Sequence, residues 1–298
     1  MTNAMLHRIQ RPILAVLLLP VLLASGCRST AHAGNPDRLE ERGWVQLQLG
    51  DAAGALQSFG ESLDQERDAR VLAGTGQALV ALGRSHQARD AFLEAIDLEP
   101  EVADWRVGLG LVEASLRDDQ AALGAFDEAI EVDANSSKAF YNRARLHAAA
   151  GRHEAALEDY SAAIAISNRM AEAYAGRGLV WAALDDRGAA IADFHRAGGL
   201  QPCPEAHANC AVVHYADGDV RHALTELNTA IRLEGSNPAF YANRARIYLD
   251  LGRTELAIKD LEDTLALAPE WSDVRELHRA AMKQQHEPAI PASADASQ

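Results

Sequence analysis

An alanine returns at a nearly constant interval through most of this 298-residue chain. The intervals are 33 or 34 residues, and the alanines are Ala55, Ala88, Ala122, Ala156, Ala190, Ala223 and Ala257. A fixed period of this length indicates an array of structural repeats, each packed against its neighbours. This periodicity constrains the fold more than any other feature, because it places residues 36–270 in one array of similar repeats.

Other residue types follow the same period. A glycine or alanine stands twelve residues before each of these alanines, and a bulky apolar residue stands four after it: Phe59, Phe92, Phe126, Tyr160, Phe194, Leu227 and Leu261. Each unit contains two amphipathic stretches of helical period. In five units a glycine separates them, as a helix end prefers: Gly50, Gly83, Gly151, Gly218 and Gly252. One helix pair cannot bury its apolar face alone, so the pairs must stack.

This pattern resembles the tetratricopeptide repeat. The seven repeats are residues 36–68, 69–102, 103–136, 137–170, 171–203, 204–237 and 238–270. We predict a polar-faced capping helix at 271–285 and a disordered tail at 286–298. The resemblance implies an all-α solenoid, wound as a right-handed superhelix, in which the first helix of each pair lines a concave groove.

The N-terminal 26 residues read as an export signal. Two arginines precede the apolar run 13–24, which is shorter than the roughly 20 residues that span a bilayer. The run ends in Leu-Leu-Ala-Ser-Gly-Cys and resembles a bacterial lipobox, which implies lipidation of Cys27. The alternative is an ordinary cleaved signal followed by a chance cysteine. Residues 27–35 would be a polar tether, and Arg28, where an aspartate would signal inner-membrane retention, favours the outer membrane.

Three repeats place an arginine and an aspartate at equal distances from the turn between their helices. Arg143 precedes Gly151 by eight residues and Asp159 follows it by eight, so the two side chains should face each other. The same relation gives three pairs, which we call the staple pairs: Arg143–Asp159, Arg177–Asp193 and Arg244–Asp260. Each is predicted to join its two helices through a partly buried, charge-assisted hydrogen bond. Cys210 and Glu226 occupy these positions in the sixth repeat.

A second set of residues is predicted to bind a partner. Arg145 and Arg246 follow staple arginines by two residues, a rotation of about 200° around a helix. The resemblance places three asparagines in the groove, where an amide can hydrogen-bond the backbone of an extended peptide. The complete set is Trp44, Tyr141, Asn142, Arg145, Asn209, Asn243 and Arg246. Two alternatives stay open: the arginines are solvated and cover apolar neighbours with their stems, or Trp44 only covers the end of the array.

A string of potential metal ligands runs along one predicted helix: Cys203, His207, Cys210 and His214. The string is about 16 Å long, whereas zinc needs its donors about 2.0–2.3 Å away. One straight helix therefore cannot wrap four ligands around one ion. We interpret these residues as core residues and predict no metal.

Charge and motifs restrict the function further. The chain has 28 basic and 43 acidic side chains, a formal net charge of −15, which argues against nucleic acid as a partner. The sequence contains no Gly-rich phosphate loop, no Gly-x-Ser-x-Gly and no His-Glu-x-x-His. Signal, tether, repeats, cap and tail account for the whole sequence. We predict that it is not an enzyme and takes no cofactor.

The favoured function is a scaffold, lipid-anchored on the periplasmic side of a bacterial envelope, that binds envelope proteins or peptides in its groove. Its contact with the membrane would be through the lipid alone. Two alternatives remain. One is a receptor for a small ligand or a peptidoglycan fragment, and the other is a structural lipoprotein that self-associates.

Overall fold

The computed structural model describes residues 36–286, with side chains from 38 to 285. The predicted export signal, Cys27 with the predicted tether, and nearly all of the predicted tail lie outside these residues. Within them the structure contains fifteen helices and no strand. The predicted all-α repeat array is confirmed. None of the described helices is long and apolar enough to cross a lipid bilayer.

The helices alternate in pairs of nearly constant length. We call the first helix of each pair an A-helix and the second a B-helix. A first compact unit ends at Arg169 and contains α1 (Pro36–Gln48), α2 (Ala52–Leu63), α3 (Ala69–Ala81), α4 (Ser85–Leu98), α5 (Ala103–Ser115), α6 (Asp119–Val132), α7 (Ser137–Ala149) and α8 (His153–Ile166). Within this unit the A-helices α1, α3, α5 and α7 are successive neighbours.

A second compact unit begins at Met170. It contains α9 (Ala171–Ala183), α10 (Arg187–Leu200), α11 (Pro204–Ala216), α12 (Val220–Leu233), α13 (Pro238–Asp250), α14 (Thr254–Leu267) and α15 (Ser272–His286). Among the residues that the structure describes, the last helix, α15, has no B-helix of its own. Its Val274 and Ala281 are buried against Ala257 and Leu261 of α14, so α15 covers the apolar face that the last pair would otherwise expose.

In the turn between each A-helix and its B-helix, one residue has a left-handed backbone conformation. Five of these residues are the glycines of the repeat pattern, with φ between 68° and 80°. The other two are Arg117 (φ 66°) and Asp185 (φ 63°). A left-handed conformation costs a residue with a Cβ about 1–2 kcal/mol. The turn geometry is therefore the same in all seven repeats, although glycine marks only five of them.

Small residues let the A-helices close around the B-helix aromatic. The ring of Phe92 lies between Gly76 of its own repeat and Gly108 of the next one. A Cβ at these glycines would lie 2.8 Å and 2.4 Å from ring carbons, closer than van der Waals contact permits. Phe92 is only 2% exposed as a result. The small residue and the aromatic of the repeat pattern are thus two halves of one contact.

Candidate partner-binding surface

The staple pairs have the same bidentate geometry in all three repeats. In the seventh repeat, Arg244 donates from Nε to Asp260 Oδ2 at 2.8 Å and from Nη2 to Oδ1 at 2.7 Å. The other two pairs repeat this arrangement at 2.6–2.9 Å: Arg143–Asp159 and Arg177–Asp193. The three aspartates are at most 6% exposed. Each pair therefore ties an A-helix to its B-helix through a shielded, charge-assisted contact.

The staple arginines Arg143 and Arg244 also reach the preceding repeat. Arg143 donates from Nη1 to Asp127 Oδ1, and Arg244 donates from Nη1 to Asn228 Oδ1, both at 2.6 Å. The hydrogen bonds that they donate to their staple aspartates raise the pKa of both guanidinium groups above the ordinary value. Their planes also lie over aromatic rings of their own helices, 5.5 Å from the centroid of Phe140 and 5.8 Å from that of Tyr241. With these contacts both arginines belong to the scaffold.

The candidate binding residues of α7 contact one another. The Arg145 guanidinium lies 5.7 Å from the centroid of the Tyr141 ring, and its Nη1 donates to Asn142 Oδ1 at 3.3 Å. Asn142 is 9% exposed and donates from Nδ2 to the Lys138 carbonyl at 2.9 Å. Both ends of this amide are therefore used within α7. Tyr141 and Arg145, which are half-buried, are the members of this group that a partner can reach.

The candidate residues of the second unit are more accessible. Arg246 is exposed, and among the residues that the structure describes it forms neither a hydrogen bond nor an ion pair. Asn209 on α11 and Asn243 on α13 are half-buried and occupy equivalent positions in successive repeats. Near Arg246 the hydroxyl of Tyr215 donates a hydrogen bond to Asp250. Burial, and to a smaller extent this hydrogen bond, raises the pKa of Tyr215 to about 12. This surface joins two amides and one uncommitted cation.

Trp44 packs at the start of the array. Its indole meets the ring of Phe59 edge-on, with centroids 5.3 Å apart and planes at 70°. Its Nε1 donates to Glu40 Oε1 of the same helix at 3.2 Å. The ring is half-buried beside the core of the first repeat. These contacts favour the alternative in which Trp44 covers the end of the array.

The four residues of the Cys/His string differ in burial. Cys210 is completely buried, and burial raises the pKa of its thiol to about 12. Cys203 lies at the start of the helix and is half-buried. The side chains of His207 and His214 keep 19% and 14% of their surface exposed. All four residues therefore pack against other parts of the fold.

Residues outside the string complete this region. Nε2 of His195, on α10, lies 3.5 Å from Cys210 Sγ and 3.2 Å from Glu226 Oε1, and His207 Nδ1 lies 2.6 Å from Glu226 Oε2. Reasoning about one helix missed His195, because it belongs to the preceding repeat. The signal was present in the staple positions: the sixth repeat alone combines an acid, Glu226, with a cysteine instead of an arginine.

Comparisons with known proteins agree with this architecture. The chain is similar to the Cut9–Hcn1 hetero-tetramer of the APC/C (18% identity, TM-score 0.65, 84% of this chain and 53% of that one), so it spans about half of that chain. It is similar to a tetratricopeptide repeat protein from Parabacteroides merdae (15%, 0.61, 83% and 98%) and to YrrB, described as having an unusual peptide-binding site (18%, 0.52, 64% and 99%). At such identities the likeness establishes the fold.

Sequence comparison identifies the family. No curated protein matches the chain. A family model described as "Tetratricopeptide repeat" matches residues 74–139, 120–171 and 210–270, which together make up more than half of the sequence. With its paired helices and its small-residue contacts, the chain belongs to the tetratricopeptide repeat family.

Proposed function

We propose that this chain is a non-enzymatic scaffold that binds a segment of a partner protein on the A-helix face of its repeats. Proteins of this family generally act as interaction modules rather than enzymes. Two of the structural neighbours fit this role, since one belongs to a hetero-tetramer and another is described as having a peptide-binding site. The observation that carries the proposal is the contrast between Arg244 and Arg246.

These two arginines lie on one helix, in the sequence Asn-Arg-Ala-Arg (243–246), but only Arg244 makes contacts that hold the fold together. Arg244 makes three hydrogen bonds to Asp260 and Asn228, whereas Arg246 projects into solvent without a partner among the described residues. A guanidinium offers five N–H donors in a planar fork that suits a carboxylate. Arg246 is therefore the residue of α13 that is available for an acidic group on a partner.

The two asparagines extend this surface to the neighbouring repeat. Asn209 and Asn243 occupy equivalent positions in successive repeats, so both would meet backbone groups of the same extended peptide. An amide binds peptide N–H and C=O groups without reading side chains. The proposed partner segment is therefore extended and carries an acidic side chain near Arg246.

On α7 the proposal uses Tyr141 and Arg145. Tyrosine and arginine are enriched among residues that dominate binding free energy, and here the stacked pair is partly preorganised. Asn142 supports this pair from within the helix. This second patch belongs to the first compact unit and would bind its own part of a long partner.

The site of action in the proposal is the bacterial envelope. The supporting feature is the sequence Leu-Leu-Ala-Ser-Gly-Cys after the apolar run 13–24, with Cys27 as the lipidated residue. The anchor would hold the repeats on the periplasmic side of the outer membrane. A Cys27→Ala variant should then leave the membrane fraction, and intact mass should show a diacylglycerol on the first residue of the wild-type mature chain. A wild-type chain that is soluble or begins elsewhere would contradict this part of the proposal.

Crosslinking in cells, followed by purification and mass spectrometry, tests partner binding. The wild type is compared with an Arg145→Ala, Arg246→Ala double variant. The matched control is Arg232→Ala, which removes an exposed arginine from the B-helix α12. We expect the wild type and the control to capture the same partner and the double variant to lose it.

The other outcomes separate the alternatives. A partner that all three proteins capture equally would place the binding site elsewhere. If no partner exceeds background, stabilisation by peptidoglycan fragments would support the receptor hypothesis. Concentration-dependent sedimentation would instead support self-association.

A further inference from the structure

Three helices of the second unit bring metal-binding side chains to one place. His195 lies on α10, Cys210 and His214 lie on α11, and Glu226 lies on α12. One potential ligand atom from each of His195, Cys210 and His214 lies within 4.8 Å of the other two. We propose that these three residues bind one zinc ion. Glu226 supplies the fourth ligand of a tetrahedral site.

The distances already approach those of a zinc site. Zinc binds sulfur at about 2.3 Å and imidazole nitrogen at about 2.0–2.1 Å, so a tetrahedral site separates these two atoms by about 3.6 Å. The distance from His195 Nε2 to Cys210 Sγ is 3.5 Å. Nitrogen and carboxylate oxygen should be separated by about 3.4 Å, and His195 Nε2 lies 3.2 Å from Glu226 Oε1. The ligand atom of His214 lies within 4.8 Å of those of His195 and Cys210, and Glu226 is outside that group, so the His214 and Glu226 side chains both have to move closer to complete the tetrahedral set.

Comparison among the repeats gives an independent argument. Every staple aspartate faces an arginine, but Glu226 stands at the equivalent position opposite Cys210. The Glu226 side chain is 15% exposed, so its negative charge lies in a partly desolvated place. A divalent cation would provide the positive charge that arginine supplies in the staple pairs. The zinc site is therefore the sixth repeat's substitute for a staple pair.

The surroundings hold the carboxylate in position. His207 Nδ1 lies 2.6 Å from Glu226 Oε2, the oxygen that does not face His195. Groups that hydrogen-bond a ligating carboxylate orient it and strengthen metal binding. His207 would thus be a positioning residue, and it explains why the helix string contains a histidine that is not itself a ligand.

The donor set favours zinc over harder cations. Cysteine and histidine are ligands of zinc, whereas magnesium and calcium prefer oxygen alone. The ion has a route to the site, because the His195 side chain is 51% exposed while Cys210 is buried. On binding, the Sγ–H bond of Cys210 gives way to an S–Zn bond, and the proton is released to solvent. The metal would tie α10, α11 and α12 together.

Titration of the full-length, metal-stripped chain with Co²⁺ and then Zn²⁺ tests the proposal. We expect one equivalent of Co²⁺ to produce a thiolate-to-cobalt charge-transfer band, which Zn²⁺ abolishes. Cys210→Ser should remove the band, and His195→Ala should weaken affinity at least about tenfold. His207→Ala should weaken it while leaving the band, as expected of a positioning residue. Zinc should also raise the Tm of the wild type.

Matched controls make the result specific. Cys203→Ser removes the cysteine that immediately precedes α11, and His86→Ala removes an exposed histidine of α4; both variants should bind zinc as the wild type does. Because His195 is half-exposed, its alanine variant should fold even if Cys210→Ser does not. Wild-type affinity in Cys210→Ser or His195→Ala would overturn the proposal. The proposal would also be overturned if His222→Ala were the only variant that lost binding. That result would show that the ion binds the neighbouring group His214, Asp219 and His222 instead.

Discussion

Arg244 and Asp260 lie sixteen residues apart and are joined by two parallel hydrogen bonds between α13 and α14. The carboxylate is 3% exposed, so removing the arginine leaves a buried charge without its main partner. We expect Arg244→Ala to reduce the free energy of unfolding by about 3 kcal/mol. The double variant Arg244→Ala, Asp260→Ala should lose at least about 1 kcal/mol less than the sum of the single losses. Urea unfolding of the four proteins measures this coupling.

The exposed neighbour Arg246 provides the control for this cycle. Arg246→Ala removes the same side chain from the same helix, and a surface change of this kind should alter stability by less than about 0.5 kcal/mol. Additive losses at Arg244 and Asp260 would show that the pair does not stabilise the hairpin. Restored stability in the exchanged variant Arg244→Asp, Asp260→Arg would support the pair further.

Arg117 holds a left-handed conformation that suits glycine, with φ at 66°. Replacement by glycine should relieve about 1–2 kcal/mol of backbone strain, partly offset by about 0.5–1 kcal/mol of additional chain entropy. We therefore expect Arg117→Gly to raise the free energy of unfolding by about 0.5–1 kcal/mol. The reciprocal change Gly83→Ala, at φ 72°, should lower it. Thermal unfolding of both variants measures the two effects, and a destabilised Arg117→Gly would contradict this account of the turns.

Much of the fold could be predicted because it follows from spacing along single helices. The recurrent alanine, the small residue before it and the aromatic after it are features of local sequence. They sufficed for the all-α repeat fold and for the family, which the comparisons confirm. Pairing of Arg143 with Asp159 also follows from distance to a turn, and the structure places the two in hydrogen-bond contact. The left-handed backbone conformation of Arg117 and Asp185 could not be predicted, because neither residue type indicates it.

The surfaces between repeats were harder to predict. His195 approaches Cys210 and Glu226 from another helix pair, and no spacing within α11 indicates it. Likewise the three asparagines predicted to bind a partner occupy equivalent sequence positions, but Asn142 is 9% exposed with both amide ends occupied. Such differences depend on how successive helix pairs pack. A repeat pattern in the sequence shows only what the repeats share, so it does not reveal them. Assignment of Asn209, Asn243 and Arg246 to a partner stays a prediction.

His147 should have a low pKa in the folded chain. Burial lowers it below 6.5, and Arg152, whose Nε donates to His147 Nδ1 at 2.8 Å, lowers it further. A histidine that is neutral when folded binds its proton more readily when unfolded, so its contribution to stability is present above pH 6.5 and is lost as the pH falls through 6.5 towards the folded pKa. NMR titration of the ring measures this pKa directly. Arg152→Ala should raise it part of the way, because burial remains.

A titration of His147 at or above pH 6.5 would contradict this prediction. The same holds if Arg152→Ala leaves the pKa unchanged, since the guanidinium then has no electrostatic effect on the ring. His147→Gln gives the corresponding control for stability. It should reduce the loss of stability on acidification below pH 6.5 relative to the wild type.

Two helical glycines of the first unit should respond to alanine in opposite directions. A Cβ at Gly108 would lie 2.4 Å from a ring carbon of Phe92, and that ring is also confined by Gly76. Gly108→Ala should therefore destabilise the fold by about 1–3 kcal/mol through overpacking. A Cβ at Gly124, in α6, would meet no neighbouring side chain within 4 Å, so Gly124→Ala should stabilise the fold by up to about 1 kcal/mol through helix propensity. Chemical denaturation of the two variants compares them directly. If Gly108→Ala were as stable as Gly124→Ala, the Phe92 ring would be able to shift and accommodate the added Cβ. The contact between small and aromatic residues would then not set the spacing between repeats.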